Sequence, residues 1–116
     1  MKAVIKEAKL LHVDDVWKGH KPQGLGFSDT DVIIVTVQEK GGKELFEQDF
    51  YCRLKADGTL AHSITRRSEK RQRELQAFIR KYVSKEEGYN VKAKIGGWKG
   101  KEVELEKVGG VYIIKI

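Results

Sequence analysis

Two neighbouring stretches of the chain carry the apolar patterns of paired β-strands. DVIIVTVQEK (31–40) is apolar on both of its alternating faces, as in a strand that is covered on both sides. KELFEQDFYCRLKA (43–56) alternates strictly, so that Phe46 and Phe50 share one face while Tyr51 and Arg53 share the other. Because Gly41-Gly42 separates the two stretches, the pattern predicts a β-hairpin.

Strand patterns also occupy both ends of the chain. Residues 2–16 mix β-branched and charged residues and predict one long first strand, followed by a Gly-rich loop, WKGHKPQGLGFSDTD (17–31). Near the other end, NVKAKI (90–95) and the stretch 101–108 alternate and predict a hairpin that turns at GGWKG. A second Gly-Gly pair precedes VYIIKI (111–116), which predicts a final apolar strand.

Residues 68–84 carry the strongest periodic signal in the chain, and its period is helical. Their apolar residues recur at i, i+3, i+4, i+7 and i+8, which makes one stripe of an amphipathic helix; they are Leu75, Phe78, Ile79, Tyr82 and Val83. Ser68 is a suitable N-cap and Gly88 a suitable stop signal.

The order of these elements is β, long loop, β, β, helix, β, β, with one further strand at the end. It matches the OB-fold, a five-stranded Greek-key barrel. We therefore expect residues 1–116 to form a single domain that is all-β apart from one helix. In this OB-like barrel the helix lies between strands 3 and 4, and an extra strand follows at the C-terminus.

The second half of the chain resembles a known group of proteins. The run from the Ser68 helix to the Lys-rich hairpin VKAKIGGWKGKEVELEKV is similar to small archaeal and phage OB-type proteins that bind single-stranded DNA. This resemblance implies a nucleic-acid-binding module.

The distribution of charge is consistent with such a partner. The formal net charge is +6, and +5 of it falls in residues 66–81, which hold seven basic and two acidic residues. A localised basic surface favours a polyanion such as nucleic acid.

The sequence contains no apolar run of about 18 residues and no signal pattern at its start. Cys52 is the only cysteine, and we expect a buried thiol and a cytoplasmic protein that does not act on membranes.

The predicted topology places both tryptophans beside one ligand face. Trp17 falls in the loop between strands 1 and 2 and Trp98 in the loop between strands 4 and 5, and these loops flank the face that strands 2 and 3 form. Aromatic rings there can stack on bases, and nearby cations can contact phosphates. The predicted nucleic-acid-binding residues are Trp17, Lys18, Tyr51, Arg53, Arg66, Arg67, Lys94, Trp98 and Lys99.

Other interpretations of the same residues stay open. Both indoles could pack inward and close the barrel ends, and the basic run could be a solvated helix face. The module could instead dock on a protein or a ribonucleoprotein through its basic helix, or form a homodimer through the strand 111–116. Asp29 and Asp31 could hold a divalent cation in a nuclease, although no metal-binding motif is present. We expect no enzymatic activity, no cofactor and no metal.

Overall fold

The computed structural model describes the backbone of residues 1–17, 30–61 and 66–116, and the side chains of all of these except residues 16–17 and 66–68. One antiparallel sheet contains every strand in these ranges: β1 (Lys2–His12), β2 (Asp31–Glu39), β3 (Leu45–Cys52), β4 (Glu102–Val108) and β5 (Val111–Ile114). The strand order is β3-β2-β1-β4-β5, so the first strand lies at the centre.

Helical segments occupy two of the connections between strands, the one after β1 and the one after β3. They are α1 (Val13–Trp17), α2 (Arg66–Phe78), which continues into a π turn (Ile79–Val83), and α3 (Val91–Lys94), which continues into a 3-10 turn (Ile95–Trp98). The predicted helix between strands 3 and 4 is therefore confirmed as α2 with its π turn. Each of the five residues in the predicted apolar stripe, from Leu75 to Val83, packs in or against the core.

The core lies between α2 and one face of the sheet. Ile33 and Val35 point into it from β2 and Phe50 from β3, and Leu75 and Phe78 meet them from α2. The Phe50 and Phe78 rings lie 4.9 Å apart between centroids, a distance typical of packed aromatic pairs. Burial of this apolar stripe is the main force that holds α2 on the sheet. Cys52 is 1% exposed, which confirms the predicted buried thiol.

The predicted hairpin of strands 2 and 3 is confirmed, with Val32 opposite Tyr51 and Ile34 opposite Asp49. β1 pairs with β2 along its whole length and carries a bulge between Ile5 and Glu7, whereas its pairing with β4 covers only its start. The predicted first strand over 2–16 is too long, because the chain turns into α1 after His12.

The sheet is open and does not close into the predicted barrel. Its two edge strands, β3 and β5, approach each other through side chains rather than through a backbone ladder. The Ile114 N–H donates to Gln48 Oε1 at 2.7 Å, and the rings of Phe46 and Tyr112 meet edge to face at 5.4 Å. The domain is thus a mixed α/β fold with a curved five-stranded sheet.

The strand predicted over 90–95 is wrong, since this segment is helical. Asn90 caps α3 by accepting a hydrogen bond from the Ala93 N–H at 3.0 Å. The Val91 N–H, which a strand partner would have used, donates to the Gly58 carbonyl at 3.0 Å. The predicted C-terminal strand is confirmed as β5, which forms a hairpin with β4. Within the described ranges no helix has the length and apolar character needed to cross a membrane.

Candidate nucleic-acid interface

Tyr51 lies where the basic helix meets the edge of the sheet. It is half-buried near the end of β3, on the side of the strand opposite to the core residues Phe50 and Cys52. The guanidinium carbon of Arg71 lies 5.6 Å from the centroid of the Tyr51 ring, within the range of a cation–π contact. This contact joins the basic first half of α2 to the outward face of β3.

Two carboxylates share that outward face. Glu47 and Asp49 precede Tyr51 on alternate positions of β3, and both are exposed. Burial of part of the Asp49 side chain, and secondarily the charge of Glu47, raise the pKa of the Asp49 carboxyl above its usual value. Because these charges repel phosphate, a polyanion would have to lie toward the Tyr51 end of the strand.

A basic cleft continues from that end of β3, where β1 also ends and β2 begins. This strand-end cleft has a volume of about 260 Å³, and its lining is Leu10, Leu11, His12, Asp31, Leu54, Lys55, Ala56 and Lys92. Its two lysines are Lys55, two positions after Arg53, and Lys92 from α3. The Asp31 carboxylate is already engaged, since it accepts hydrogen bonds from the Thr30 hydroxyl at 2.9 Å and from the Leu54 N–H at 3.1 Å.

The outer side of α2 is charged but internally balanced. Lys70 and Arg73 line a shallow groove together with Glu69, Glu74 and Ile116. Arg73 forms an i, i+4 ion pair with Glu69. The cations on this side are thus offset by carboxylates.

Lys94 and Lys99, two predicted phosphate contacts, belong to the connection between α2 and β4. Lys94 is paired with Glu86 at 2.7 Å and lies 5.5 Å from the centroid of the Tyr89 ring. The hydrogen bond and the charge of Glu86 raise the pKa of the Lys94 ammonium. Lys99 is exposed in the turn before β4. A phosphate would therefore have to compete with Glu86 for Lys94.

The prediction that Trp98 faces outward is wrong. Its side chain is completely buried, and its ring lies 5.5 Å from that of Phe78 between centroids. The indole Nε1–H donates to the hydroxyl of Tyr89 at 2.9 Å, so the one polar group of the ring is satisfied inside the core. Trp98 therefore holds the 3-10 turn on the core and is not a stacking residue.

Four of the predicted residues cannot be compared with the structure. Lys18 and the side chains of Trp17, Arg66 and Arg67 lie outside what is described, as does Asp29 of the nuclease interpretation. In the described part of the chain, no three His, Cys, Asp or Glu side chains come close enough together to hold a metal ion.

The fold adds three cations that the sequence did not assign to the site. Arg71 is separated from Tyr51 by twenty positions, and Lys55 and Lys92 belong to a turn and to a helix that the sequence predicted as strand. The alternation over residues 43–56 was the signal by which the sequence predicted Tyr51 and Arg53. No local pattern indicates that Arg71 or Lys92 approaches the same edge, because both contacts depend on how the connections pack.

No family model, curated protein or solved structure matches this chain. The arguments for its function therefore depend on the geometry described above.

Proposed function

We propose that the chain binds single-stranded nucleic acid, most simply single-stranded DNA, with little sequence preference. The single observation that carries the proposal is the contact of Arg71 with Tyr51, which brings a guanidinium and an aromatic ring together on an outward-facing strand. An aromatic face stacks on any base, and basic side chains beside it can contact the flanking phosphates.

The strand-end cleft extends this surface. We infer that a bound nucleic-acid strand would run from Arg71 and Tyr51 past Arg53 to Lys55 and Lys92. This path leaves Glu47 and Asp49 to one side, because they precede Tyr51 on β3. Trp17, Lys18, Arg66 and Arg67 are proposed as further contacts, while Trp98 is no longer among them.

The proposed relationship to the OB-fold is supported by the strand order. β1 pairs with both β2 and β4, and the remaining edges, β3 and β5, curve toward each other until side chains touch. A partly open five-stranded barrel with a helix after its third strand has these features. In this relationship, β2 and β3 form the ligand face.

Fluorescence anisotropy with a labelled twenty-nucleotide oligothymidine tests the proposal. If Arg53, Lys55, Arg71 and Lys92 each contact one phosphate, log affinity should fall against log salt with a slope of about −2.8. Tyr51→Leu keeps apolar bulk but removes the ring, and we expect it to weaken binding about five- to fifty-fold.

A matched pair of charge variants separates the site from general electrostatics. Arg71→Gln and Lys107→Gln each remove one positive charge, but Lys107 is far from the proposed site. It lies over the Tyr112 ring, which contacts Phe46, and Phe46 is five residues from Tyr51 along β3. That is about 16 Å at about 3.3 Å per residue. We expect a loss only from Arg71→Gln. Equal losses from both variants, or binding that does not depend on salt, would refute the proposed site.

A second candidate function, self-association, is favoured by exposed apolar residues on the β4–β5 hairpin. Val108 and Val111 face each other across the turn and are 54% and 63% exposed. Phe46 contacts Tyr112 and Gln48 contacts Ile114, so in both pairs the β5 residue lies 66 positions after its β3 partner. The same spacing brings Leu45, which is 59% exposed, to the same end of the sheet. Light scattering at increasing concentration should detect a dimer that Val111→Lys abolishes, and a concentration-independent monomer would exclude it.

A further inference from the structure

A second cleft lies between the end of α2 and the segment before α3. This π-turn cleft has a volume of about 340 Å³. Ile79 and Arg80 line it from the π turn, Lys55 and Leu60 from the turn after β3, and Tyr89 from the opposite wall. Arg53, Tyr51 and Arg71 are not part of its lining, and of the described residues on the proposed nucleic-acid surface it shares only Lys55, so the two sites are distinct.

The π turn gives this cleft its shape. The Ser84 N–H donates to the Ile79 carbonyl at 2.8 Å, one residue further along than in an α-helix, so the last turn of the helix is widened. Such wide turns are frequent at functional sites. Here the turn keeps Ile79 in the core, 4% exposed, while the next residue, Arg80, is exposed at the cleft.

Tyr89 brings a polarised hydroxyl to the opposite wall. Its oxygen accepts the hydrogen bond from the buried Trp98 indole at 2.9 Å. Because an indole N–H can only donate, the Tyr89 hydroxyl retains its own proton for another acceptor, and a hydroxyl that already accepts is the stronger donor. Among the described residues no acceptor for that proton is found.

Among the described residues no carboxylate forms an ion pair with the cations of the cleft, and the nearest charge effect is at Asp57, where hydrogen bonds from Thr59 and secondarily the charge of Lys55 lower the pKa of the carboxyl. Within the described residues, neither Lys55 nor Arg80 has a carboxylate oxygen within 4 Å. Glu86, which also lines the cleft, is occupied by Lys94, and the exposed Glu87 is the one remaining carboxylate of the lining. Two cations and one hydroxyl donor thus border a floor of Leu60 and Ile79.

We infer that the π-turn cleft binds a small phosphate monoester whose organic group lies on Leu60 and Ile79. A phosphate monoester carries about −1.5 to −2 charges at neutral pH, which Lys55 and Arg80 together can balance, and its oxygens accept from the Tyr89 hydroxyl. A carboxylate would balance only one of the two cations. The volume admits a small ligand of this kind but not a nucleic-acid strand.

Phenyl phosphate is a suitable probe, with phenol and inorganic phosphate as the partial ligands. Trp98 reports on the site through its hydrogen bond to Tyr89, and Trp17→Phe leaves it as the single tryptophan. We expect phenyl phosphate to change the emission and to bind at least about tenfold more tightly than phenol, because a charged hydrogen bond is lost without the phosphate.

Neighbouring residues of the π turn supply the matched control. Arg80→Gln should weaken phenyl phosphate at least about tenfold, whereas Lys81→Gln, which removes a charge from over Tyr82 outside the cleft, should leave the affinity unchanged. Glu87→Gln should tighten binding, since it removes the carboxylate that repels the ligand. Phosphorus NMR of the probe confirms occupancy independently of tryptophan emission.

The inference is overturned if phenyl phosphate does not bind below about 10 mM, at which the binding free energy is only about 3 kcal/mol. It is also overturned if Arg80→Gln and Lys81→Gln have equal effects. Oligonucleotide affinity, measured on Arg80→Gln, should not change, so failure of this inference and failure of the proposed nucleic-acid site remain distinguishable.

Discussion

Gly58 provides the sharpest test of how the turn after β3 supports α3. Its φ angle is +89°, and an ideal Cβ at this position would lie 2.2 Å from Asn90 Oδ1 and 2.8 Å from Lys92 Cβ. Gly58→Ala therefore adds backbone strain and also displaces Asn90, the cap of α3. The same Asn90 oxygen accepts from the Ala93 N–H, so the cap hydrogen bond is lost when the side chain moves.

The magnitude follows from these two effects. Left-handed backbone costs an alanine about 1–2 kcal/mol, and the loss of an N-cap costs about 0.5–2 kcal/mol. We expect Gly58→Ala to lower the free energy of unfolding by about 1.5–4 kcal/mol. Gly88→Ala is the matched control, because its φ is +66° but no atom lies within 4 Å of the added Cβ. Its cost should be the backbone contribution alone, about 1–2 kcal/mol.

Urea denaturation followed by circular dichroism measures both variants. With an m-value of about 2 kcal/mol/M, Gly58→Ala should lower the midpoint by about 1–2 M and Gly88→Ala by at most about 1 M. Amide exchange of Ala93 should accelerate in the first variant only, since its cap is lost. Equal midpoint shifts with unchanged Ala93 exchange would show that a side chain at position 58 does not disturb Asn90 or α3.

Three further outcomes are expected from other parts of the molecule. Burial and a neighbouring carboxylate raise the pKa of Asp49 in the folded state, so the free energy of unfolding falls as the pH rises through that folded pKa. Asp49→Asn should therefore be more stable than the wild type at pH 7. A pH series of urea midpoints should show this gain disappear below the unfolded pKa. Trp98→Phe should cost about 1–3 kcal/mol by the same assay, since it leaves a gap in the core and removes the donor to Tyr89; no loss would contradict the buried position of the indole. Gln48→Ala should raise the exchange rate of the Ile114 amide, measured by NMR, while unchanged protection would mean that the β3–β5 contact is not maintained in solution.

The hairpin of β2 and β3 and the apolar face of α2 were predictable because their signals are local. Strict alternation leaves one orientation for β3, and the five-residue stripe leaves one for α2. The same reasoning placed Tyr51 on the side of β3 opposite to Phe50 and predicted that Cys52 is buried. In each case the period of the apolar residues alone selects the buried side.

The segment 90–95 was ambiguous for a physical reason. Val91 and Ile95 are two strand periods apart, but they are also four residues apart and share one side of a helix. Asn90 is a good N-cap, yet this signal acts only because the Gly58 turn supplies acceptors for the flanking donors: the Asn90 amide donates to the Asp57 carbonyl and the Val91 N–H to the Gly58 carbonyl. A partner from a distant part of the chain decided the secondary structure.

At Trp98, too, the local sequence indicated a turn while distant contacts decided where the side chain lies. Its Gly and Lys neighbours are typical of an exposed turn, and they do form one, but the 3-10 turn directs the indole inward against Phe78 while Lys99 remains exposed. The hydroxyl of Tyr89, nine residues earlier, makes this burial possible by accepting the indole hydrogen bond. Neither partner can be recognised from the residues adjacent to Trp98.

The sequence by itself determined the strands around Gly41-Gly42, the position of the single long helix, the concentration of positive charge in residues 66–81 and the outward side of β3, because each follows from a local period or composition. Only the tertiary structure decided that the sheet stays open, that Trp98 is buried and that Arg71 meets Tyr51. Those features depend on contacts between residues far apart in the chain, and their energies come from burial and from hydrogen-bond partners that no local pattern specifies.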